Sequence, residues 1–480
     1  MNIQNPSAKP PGWGKSILWL VLAVACFHAA YTSTKFPAAG LFIFGYAYFL
    51  VRLTDQPSVR RAFYFGLATG FLCYAPQLFF FWRIFNAAAI ALWLVLAFWI
   101  GLFTAIICGC IRRWGKIQAM WLVPIAWTGL EYFRSELYYL KFSWLNIGYA
   151  LPAPFNGTGV FRVGMYGLGF FVFGIIAAIS NRHLIFAHLK KMTLIKLILI
   201  ILFLAILEVV FLPAVAEPGR KVTFLSITGV QMEFPSPNVL PKALNKALAK
   251  NPDAQIFVLS EYTLDGPVPD LLKNWCREHA RFLVVGGKDP AGTNDYYNTA
   301  FVVGTNGEIV FHQAKSVPIQ FFKDGLPAPK QEVWNSPWGK IGICICYDLS
   351  YTRVTDRLVD EGAQLLIVPT MDVEDWGRYE HGLHARVAPV RAAEYGIPIF
   401  RLASSGISQA VAGGGRVLAR TSFPGSVEIL SAQLRLPMRG SLPLDRLLAP
   451  VCTGITAVVL LTLLVLDWQD RRVSRAKKVV

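Results

Sequence analysis

Charge is what this chain of 480 residues has least of: Asp, Glu, Lys and Arg make up 16% of it, against roughly 25% in an average soluble protein. Acidic residues are almost missing from positions 1–214, which hold 4 of them against 17 Lys and Arg. Cysteine is sparse as well, 8 residues without regular spacing, which excludes a small secreted scaffold stapled by disulfides. Catalytic signatures are missing too. There is no G-x-S-x-G, no H-E-x-x-H and no P-loop, so serine-hydrolase, zincin and nucleotide-binding readings have no motif behind them. What the chain has instead is apolar residues, 54% of the total, which excludes a disordered or collagen-like chain and is too many for a cytosolic enzyme.

Length alone would suggest about three domains of roughly 150 residues, and the charge distribution refines this. The formal net charge is +17, yet residues 215–467 hold 24 basic and 24 acidic side chains and are neutral. The excess lies in 1–214 and in the tail 468–480, which has 5 basic residues and 1 acidic. Positive charge flanking apolar runs is the pattern of a membrane protein, not of a nucleic-acid binder, and no nucleic acid is expected as a partner.

Seven apolar stretches precede residue 215, at 17–33, 38–53, 62–82, 88–111, 118–133, 158–180 and 193–213, and an eighth lies at 447–467. A span needs about 20 mainly apolar residues; the first, fourth, seventh and eighth have that length, while the second and fifth are short. The first stretch follows Lys9 and Lys15 as a signal peptide would. No A-x-A cleavage site with a soluble successor follows it, and further apolar runs come directly after it, so it reads as a retained helix. Lys and Arg alternate between successive loops. Lys9, Lys15, Arg52, Arg60, Arg61, Arg112, Arg113, Lys116, Arg182, Lys190, Lys191, Lys196 and the basic tail collect on one side. By the positive-inside rule that side is cytoplasmic, which places both termini there and 215–446 outside. Glu131 and Glu136 are positioned to pair with Arg134, and Glu208 to reach the headgroups.

From 215 the pattern becomes short β-rich runs separated by turns and helical stretches. Strands are expected at 222–228, 255–260, 281–287, 299–304, 308–313, 341–346, 364–369 and 398–404, with helices at 239–250, 268–280, 352–361 and 380–395. NDYYN and TNGE mark hairpin turns. Alternation of this kind indicates a layered α/β domain.

Candidate chemistry in this domain is limited. His381 and His384, three apart, would share a helix face as metal ligands do, but no third ligand of suitable type is evident. Cys346, in GKIGICICYD, ends an apolar strand where the chain changes direction, a position that exposes a nucleophile. The bland alternative is a small buried hydrophobe. Cys344 points to the same face of the strand, and a C-x-C bridge there would be strained. Whether Cys276 pairs with anything is not legible.

Several segments together carry a resemblance. Glu261 in FVLSEYTLDGP, Lys315 in FHQAKSVP and Cys346 in GICICYD resemble the Glu–Lys–Cys set of the nitrilase, or carbon–nitrogen hydrolase, superfamily. WLVPIAWTGLEYFRS, FSWLNIGYALP and VGMYGLGFFVFGI are similar to the membrane segments of the apolipoprotein N-acyltransferase family, and DWGRYEHGLHARVAPVRAAEYGIPIFRLASSGISQAV resembles that family beyond the nucleophile. The implied fold is a polytopic α-helical membrane bundle of about eight transmembrane helices plus an extramembrane α/β nitrilase-like αββα sandwich. Its expected parts are a membrane domain 1–214 with seven helices, a catalytic domain 215–446, and a C-terminal helix with a basic tail at 447–480.

The implied activity moves a fatty acyl chain from a phospholipid, through a thioester on Cys346, to the N-terminal amine of a diacylglyceryl-cysteine apolipoprotein. It takes place at a bacterial inner membrane, in a monomer surrounded by membrane lipids and without a cofactor. Glu261 is then the general base, Lys315 the oxyanion cation with the backbone N–H of Tyr347, and Asp348 and Asn298 substrate-positioning groups. Two alternatives use the same fold: a membrane-anchored amidase with the same triad, and a non-catalytic scaffold. The sequence departs from the family in several places. Phe321 stands where a further Glu aligns, with Asp324 or Gln320 as substitutes. Residue 348 is Asp where Glu is common, a Ser precedes Glu261 in place of Pro, and Phe234 lies near an expected Trp. The stretch from Lys315 to Cys346 is short.

Overall fold

The computed structural model describes residues 11–32, 37–151, 160–181, 223–423, 427–437 and 439–479. The apolar stretch 193–213, with Glu208, lies outside the described residues. The chain divides into two compact units, one made of the N-terminal helices together with the C-terminal helix, the other of the segment up to Pro443.

The first unit is helical: α1 Trp13–Thr32, α2 Phe42–Leu53, α3 Val59–Gln77, α4 Phe80–Phe85, α5 Ala88–Trp114, α6 Lys116–Tyr132, α7 Met165–Ser180 and a C-terminal helix Asp445–Val479. Among the described residues three helices are long and apolar enough to cross a membrane, within Trp13–Tyr31, Ala88–Trp114 and Asp445–Arg475, and Ala38–Leu53 and Met165–Ser180 are shorter apolar helices. The expected eight crossings are therefore matched in part. Large apolar side chains stay exposed along the first and last helices, among them Ile17, Leu18, Val21, Leu447, Val458 and Leu461, as on a lipid-facing surface.

Local sequence explains where these helices deviate. The expected segment 62–82 is split into α3 and α4 beside Pro76. Proline has no N–H to bond the carbonyl four residues back; that carbonyl, on Leu72, lies 3.0 Å from His28 Nε2 instead. Helices α3 and α5 meet through small residues. A Cβ at Gly66 would come within 2.9 Å of Gly101 Cα, and one at Gly70 within 2.8 Å of Ala97 Cα, the close approach that a G-x-x-x-G spacing permits. Glu131 and Glu136 do not take the expected partner: Glu131 Oε1 accepts the Ile147 N–H at 2.9 Å, Glu136 Oε1 accepts the Tyr166 hydroxyl at 2.8 Å, and Arg134 donates to the Tyr74 hydroxyl at 2.8 Å and to Asn146 Oδ1.

Among the described residues the second unit holds twelve strands, β1 Thr223–Gln231, β2 Ile256–Leu259, β3 Phe282–Ala291, β4 Asp295–Val303, β5 Ile309–Ala314, β6 Val333–Ser336, β7 Gly339–Ile343, β8 Leu365–Pro369, β9 Ile399–Leu402, β10 Gln409–Val411, β11 Val417–Arg420 and β12 Glu428–Leu436. They form two six-stranded sheets, ordered β12-β1-β2-β3-β4-β5 and β11-β10-β9-β8-β7-β6. Strands β1, β2 and β3 are parallel, as are β7, β8 and β9; the outer strands of each sheet run antiparallel. The period of two sets the layers. Leu225, Ile227, Ile256 and Val258 pack against Ile341, Ile343, Ile367 and Phe400 between the sheets. The alternate residues Phe257, Leu259, Leu283 and Val285 face Leu244, Leu272 and Trp275 of helices α8 Leu240–Lys250 and α9 Asp270–His279. On the other sheet, Gly342 lies against Leu358 of α10 Thr352–Asp360. This is the helix–sheet–sheet–helix sandwich.

All eight expected strands are present. Four more were not expected, at Val333–Ser336, Gln409–Val411, Val417–Arg420 and Glu428–Leu436; the first three have only three or four residues, too few to display a period. The expected turn at NDYYN falls earlier, since Asp295 already begins β4. The expected helix 380–395 is two helices, α11 Arg378–His384 and α12 Val387–Tyr395, because Pro389 belongs in a first helical turn.

Candidate active site

Glu261, Lys315, Cys346 and Met371 all fall just past the C-terminal ends of strands β2, β5, β7 and β8, the edge at which layered α/β proteins collect ligands. Cys346 opens a short turn of 3-10 helix, Cys346–Ser350, with φ +52°. A side chain in the left-handed region costs of order 1–3 kcal/mol and persists only where its surroundings impose it. Tyr262 at +51° and Phe234 at +41°, which line the cavity beside this site, share that region, as does Phe321 at +69°.

The sequence-predicted residues come together. Glu261 Oε1 lies 2.8 Å from Lys315 Nζ, both side chains fully buried, and accepts Asn298 Nδ2 at 2.6 Å. Its other oxygen accepts the Met371 N–H at 2.7 Å. Lys315 Nζ is also 2.8 Å from Asp324 Oδ2. Asp324 Oδ1 in turn accepts Asn298 Nδ2 at 2.9 Å and the Tyr262 hydroxyl at 2.8 Å. Of the two expected substitutes for the family's additional Glu, Asp324 is therefore the one that meets the ammonium. Phe321, at the aligned position, is 66% exposed. The Cys346 thiol donates to the Met371 carbonyl at 3.7 Å, so one residue touches both the acid and the thiol. Tyr347 packs edge-on against Tyr351, centroids 4.9 Å apart.

Asp348 has a different place from Asn298. Its Oδ2 accepts the N–H of Ser316 at 3.0 Å and of Ile345 at 3.2 Å, and its Oδ1 accepts that of Val317 at 2.7 Å. It latches the segment after Lys315 to the nucleophile turn.

Burial raises the Cys346 thiol well above 9.0, with the Glu261 charge adding to the rise and Lys315 opposing it; the resting group is a thiol. Burial also raises Glu261 despite Lys315. For Lys315 burial works against the charge, but Glu261 and Asp324 outweigh it and hold the ammonium well above 10.5. Asp324 is lowered because Lys315 overcomes its burial.

A cavity of about 440 Å³ opens from Asp324 and Met371 to the surface, walled by Phe234, Tyr262, Leu264, Ile319 and Phe322, with Lys288 and Lys323 at its edge. That is within the usual range for a small-molecule site, about 300–1,000 Å³.

Tyr262 and the Met371 peptide carry no motif signal; proximity to Glu261 in the chain is the only hint for the first. Beside His381 lie Asp372 and Glu380, all three buried, and His384 Nδ1 meets Asp372 Oδ1 at 2.7 Å. All eight cysteines, Cys276 and Cys344 included, are free thiols.

Two stacked sheets between helices, with Glu, Lys and Cys at the strand ends, define a hydrolase-type catalytic domain joined to a membrane helical unit. Residues 209–443 match the carbon–nitrogen hydrolase family, and residues 19–179 match the apolipoprotein N-acyltransferase N-terminal domain. The chain is 22% identical over 458 residues to an apolipoprotein N-acyltransferase of Geobacter metallireducens, covering 84% of this chain and 87% of that one. It is 29% identical over 206 residues to the deaminated glutathione amidase of Bos taurus, covering 38% of this chain and 62% of the bovine protein. A carbon–nitrogen hydrolase structure from Helicobacter pylori superposes with a TM-score of 0.39 at 17% identity, over 48% of this chain and 92% of that one. The chain belongs to the apolipoprotein N-acyltransferase family, and it is a membrane-bound acyltransferase.

Proposed function

We propose that the chain transfers an acyl group from a phospholipid to the N-terminal amine of a diacylglyceryl-cysteine protein, through a thioester on Cys346. The observation that carries this is the single buried cluster in which Glu261 and Lys315, 2.8 Å apart, bear electrostatically on a thiol held at φ +52°. Only a thiolate is a competent nucleophile, and Cys346 rests as a thiol, so Glu261 takes its proton as the sulfur attacks the ester carbonyl. Lys315 and the Tyr347 N–H bear the oxyanion, a device worth about 3 kcal/mol per donor. The lysophospholipid alkoxide leaves with the proton from Glu261. The acceptor amine then attacks the thioester carbonyl, Glu261 removes its proton, and the proton returns to Cys346 as the amide is released.

Both substrates carry acyl chains, each buried CH₂ adding about 0.8 kcal/mol of membrane affinity, which suits catalysis by a chain with its own membrane helices. We assign the catalytic domain to the outer face of a bacterial inner membrane, on the loop charges. The test is intact-mass analysis of the detergent-solubilised protein after incubation with phospholipid. An added acyl mass on the wild type, absent from Cys346→Ala and removed by a diacylated lipopeptide, is the expected result. Hydrolysis of a small amide without any retained acyl adduct would instead favour the amidase.

A further inference from the structure

We propose that Asp372, Glu380 and His381 bind one divalent transition-metal ion of the zinc class, in a buried site beside the loop that carries Met371. Helix α11 supplies Glu380 and His381, and the loop after β8 supplies Asp372. All three residues are 1% exposed or less.

His381 Nδ1 lies 3.0 Å from Glu380 Oε2 and 3.8 Å from Asp372 Oδ2. Bonds of about 2.0–2.2 Å to a tetrahedral centre set neighbouring ligand atoms about 3.4 Å apart, between those two distances. His384 Nδ1 is instead engaged in a 2.7 Å hydrogen bond with Asp372 Oδ1. The second observation is what these atoms do not do. Neither Glu380 oxygen and neither His381 nitrogen has a hydrogen-bond partner, although all are buried, and the 3.0 Å approach of His381 Nδ1 to Glu380 lies outside hydrogen-bond geometry. Buried polar atoms are ordinarily satisfied. Nearness without hydrogen-bond direction is the signature of ligands aimed at a common centre rather than at one another.

An outer shell is present. Arg401 donates to Asp372 Oδ2 at 2.5 Å, as groups behind metal-bound carboxylates do. Two carboxylates and one guanidinium leave one negative charge. A proton on His381 would neutralise it and a dication would more than offset it, so these are the two occupants to distinguish. With three protein ligands, the metal would take a water as its fourth ligand. It would tie α11 to the loop carrying Met371, whose peptide contacts both Glu261 and Cys346.

The test uses full-length protein in detergent, purified through a tag that binds no metal and stripped with EDTA. Zinc is added back, free metal removed by gel filtration, and metal content and Tm measured. About one zinc retained per chain with a raised Tm is expected, together with visible cobalt bands of a tetrahedral nitrogen–oxygen site on cobalt substitution. His381→Gln and Glu380→Gln should each weaken zinc retention at least tenfold; if either fails to fold, the wild-type metal content and Tm decide alone. No retained zinc and a Tm indifferent to EDTA and zinc would overturn the proposal in favour of a proton on His381. An intense near-ultraviolet sulfur-to-cobalt band would overturn it equally, placing the metal on Cys344 or Cys346.

Discussion

Asp324 Oδ2 meets Lys315 Nζ at 2.8 Å, the same distance as Glu261 Oε1, so the single buried ammonium is shared by two carboxylates. Removing one partner of a buried pair costs about 3–5 kcal/mol when the other is left uncompensated; here Glu261 remains, and the penalty should be smaller. Asp324→Asn keeps the shape but lets Lys315 settle against Glu261 alone, which weakens Glu261 as a base. The expected result is a lower Tm and a fall of at least tenfold, about 1.4 kcal/mol, in the rate of acyl-enzyme formation. Wild-type acylation by the variant would show that Asp324 does not support the triad.

The pH dependence of acylation follows from the same burial. Glu261 must be ionised to accept the thiol proton, and its carboxyl is raised above 4.5. Single-turnover acylation should therefore rise through an acid limb whose midpoint lies above that value, a midpoint that belongs to the coupled group rather than to one residue. No alkaline limb is expected up to pH 9, because the Cys346 thiol is held well above 9.0 and Lys315 well above 10.5. A rate that instead climbed in proportion to hydroxide would mean attack by pre-formed thiolate, without Glu261 as base.

Much of this arrangement is legible in the residues. Runs such as QIFVLS and QLLIVP are long and β-branched enough to announce buried strands, and Glu261, Lys315 and Cys346 each follow one. Asp324 was visible only as one of two substitutes, because which side chain reaches Lys315 depends on the turn at Phe321 and its positive φ. The cluster of Asp372, Glu380 and His381, with His384 bonded to Asp372, was half visible. The two imidazoles share a helix face, but the carboxylate from the β8 loop and Arg401 from β9 arrive through tertiary packing alone. Strands β10 and β11 were hidden by their shortness, since their stability comes from neighbours and not from any pattern of their own.

Asp348 should reveal itself through pH rather than through activity alone. Burial raises its carboxyl to about 6, against three backbone N–H groups that lower it. A carboxyl raised in the native state binds its proton more tightly than in the unfolded chain. Its contribution to stability is therefore full at acid pH and declines as pH climbs from about 4 to about 6. Asp348→Asn carries no charge to bury, yet it has only one oxygen for the N–H groups of Ser316, Val317 and Ile345. Its Tm deficit relative to the wild type should be larger at pH 5 than at pH 8. The reverse order would mean that the native protein favours the charged form.

The mouth of the cavity gives a prediction that separates lipid access from chemistry. Phe321 and Phe322 are 66% and 38% exposed, and Phe321 holds φ +69°. In water an exposed ring gains little from burial, and a left-handed aromatic residue is strained. Entry of these rings among acyl chains would supply the missing free energy, and it would hold the cavity rim against the donor lipid. Replacing both with Ser should slow acylation by phospholipid vesicles at least tenfold while leaving acylation by a short soluble ester unchanged. Tm should change little, the Phe322–Trp376 ring contact, with centroids 6.3 Å apart, being a peripheral one. Equal slowing on both donors would place the two rings in the chemistry of the site and not at the lipid surface.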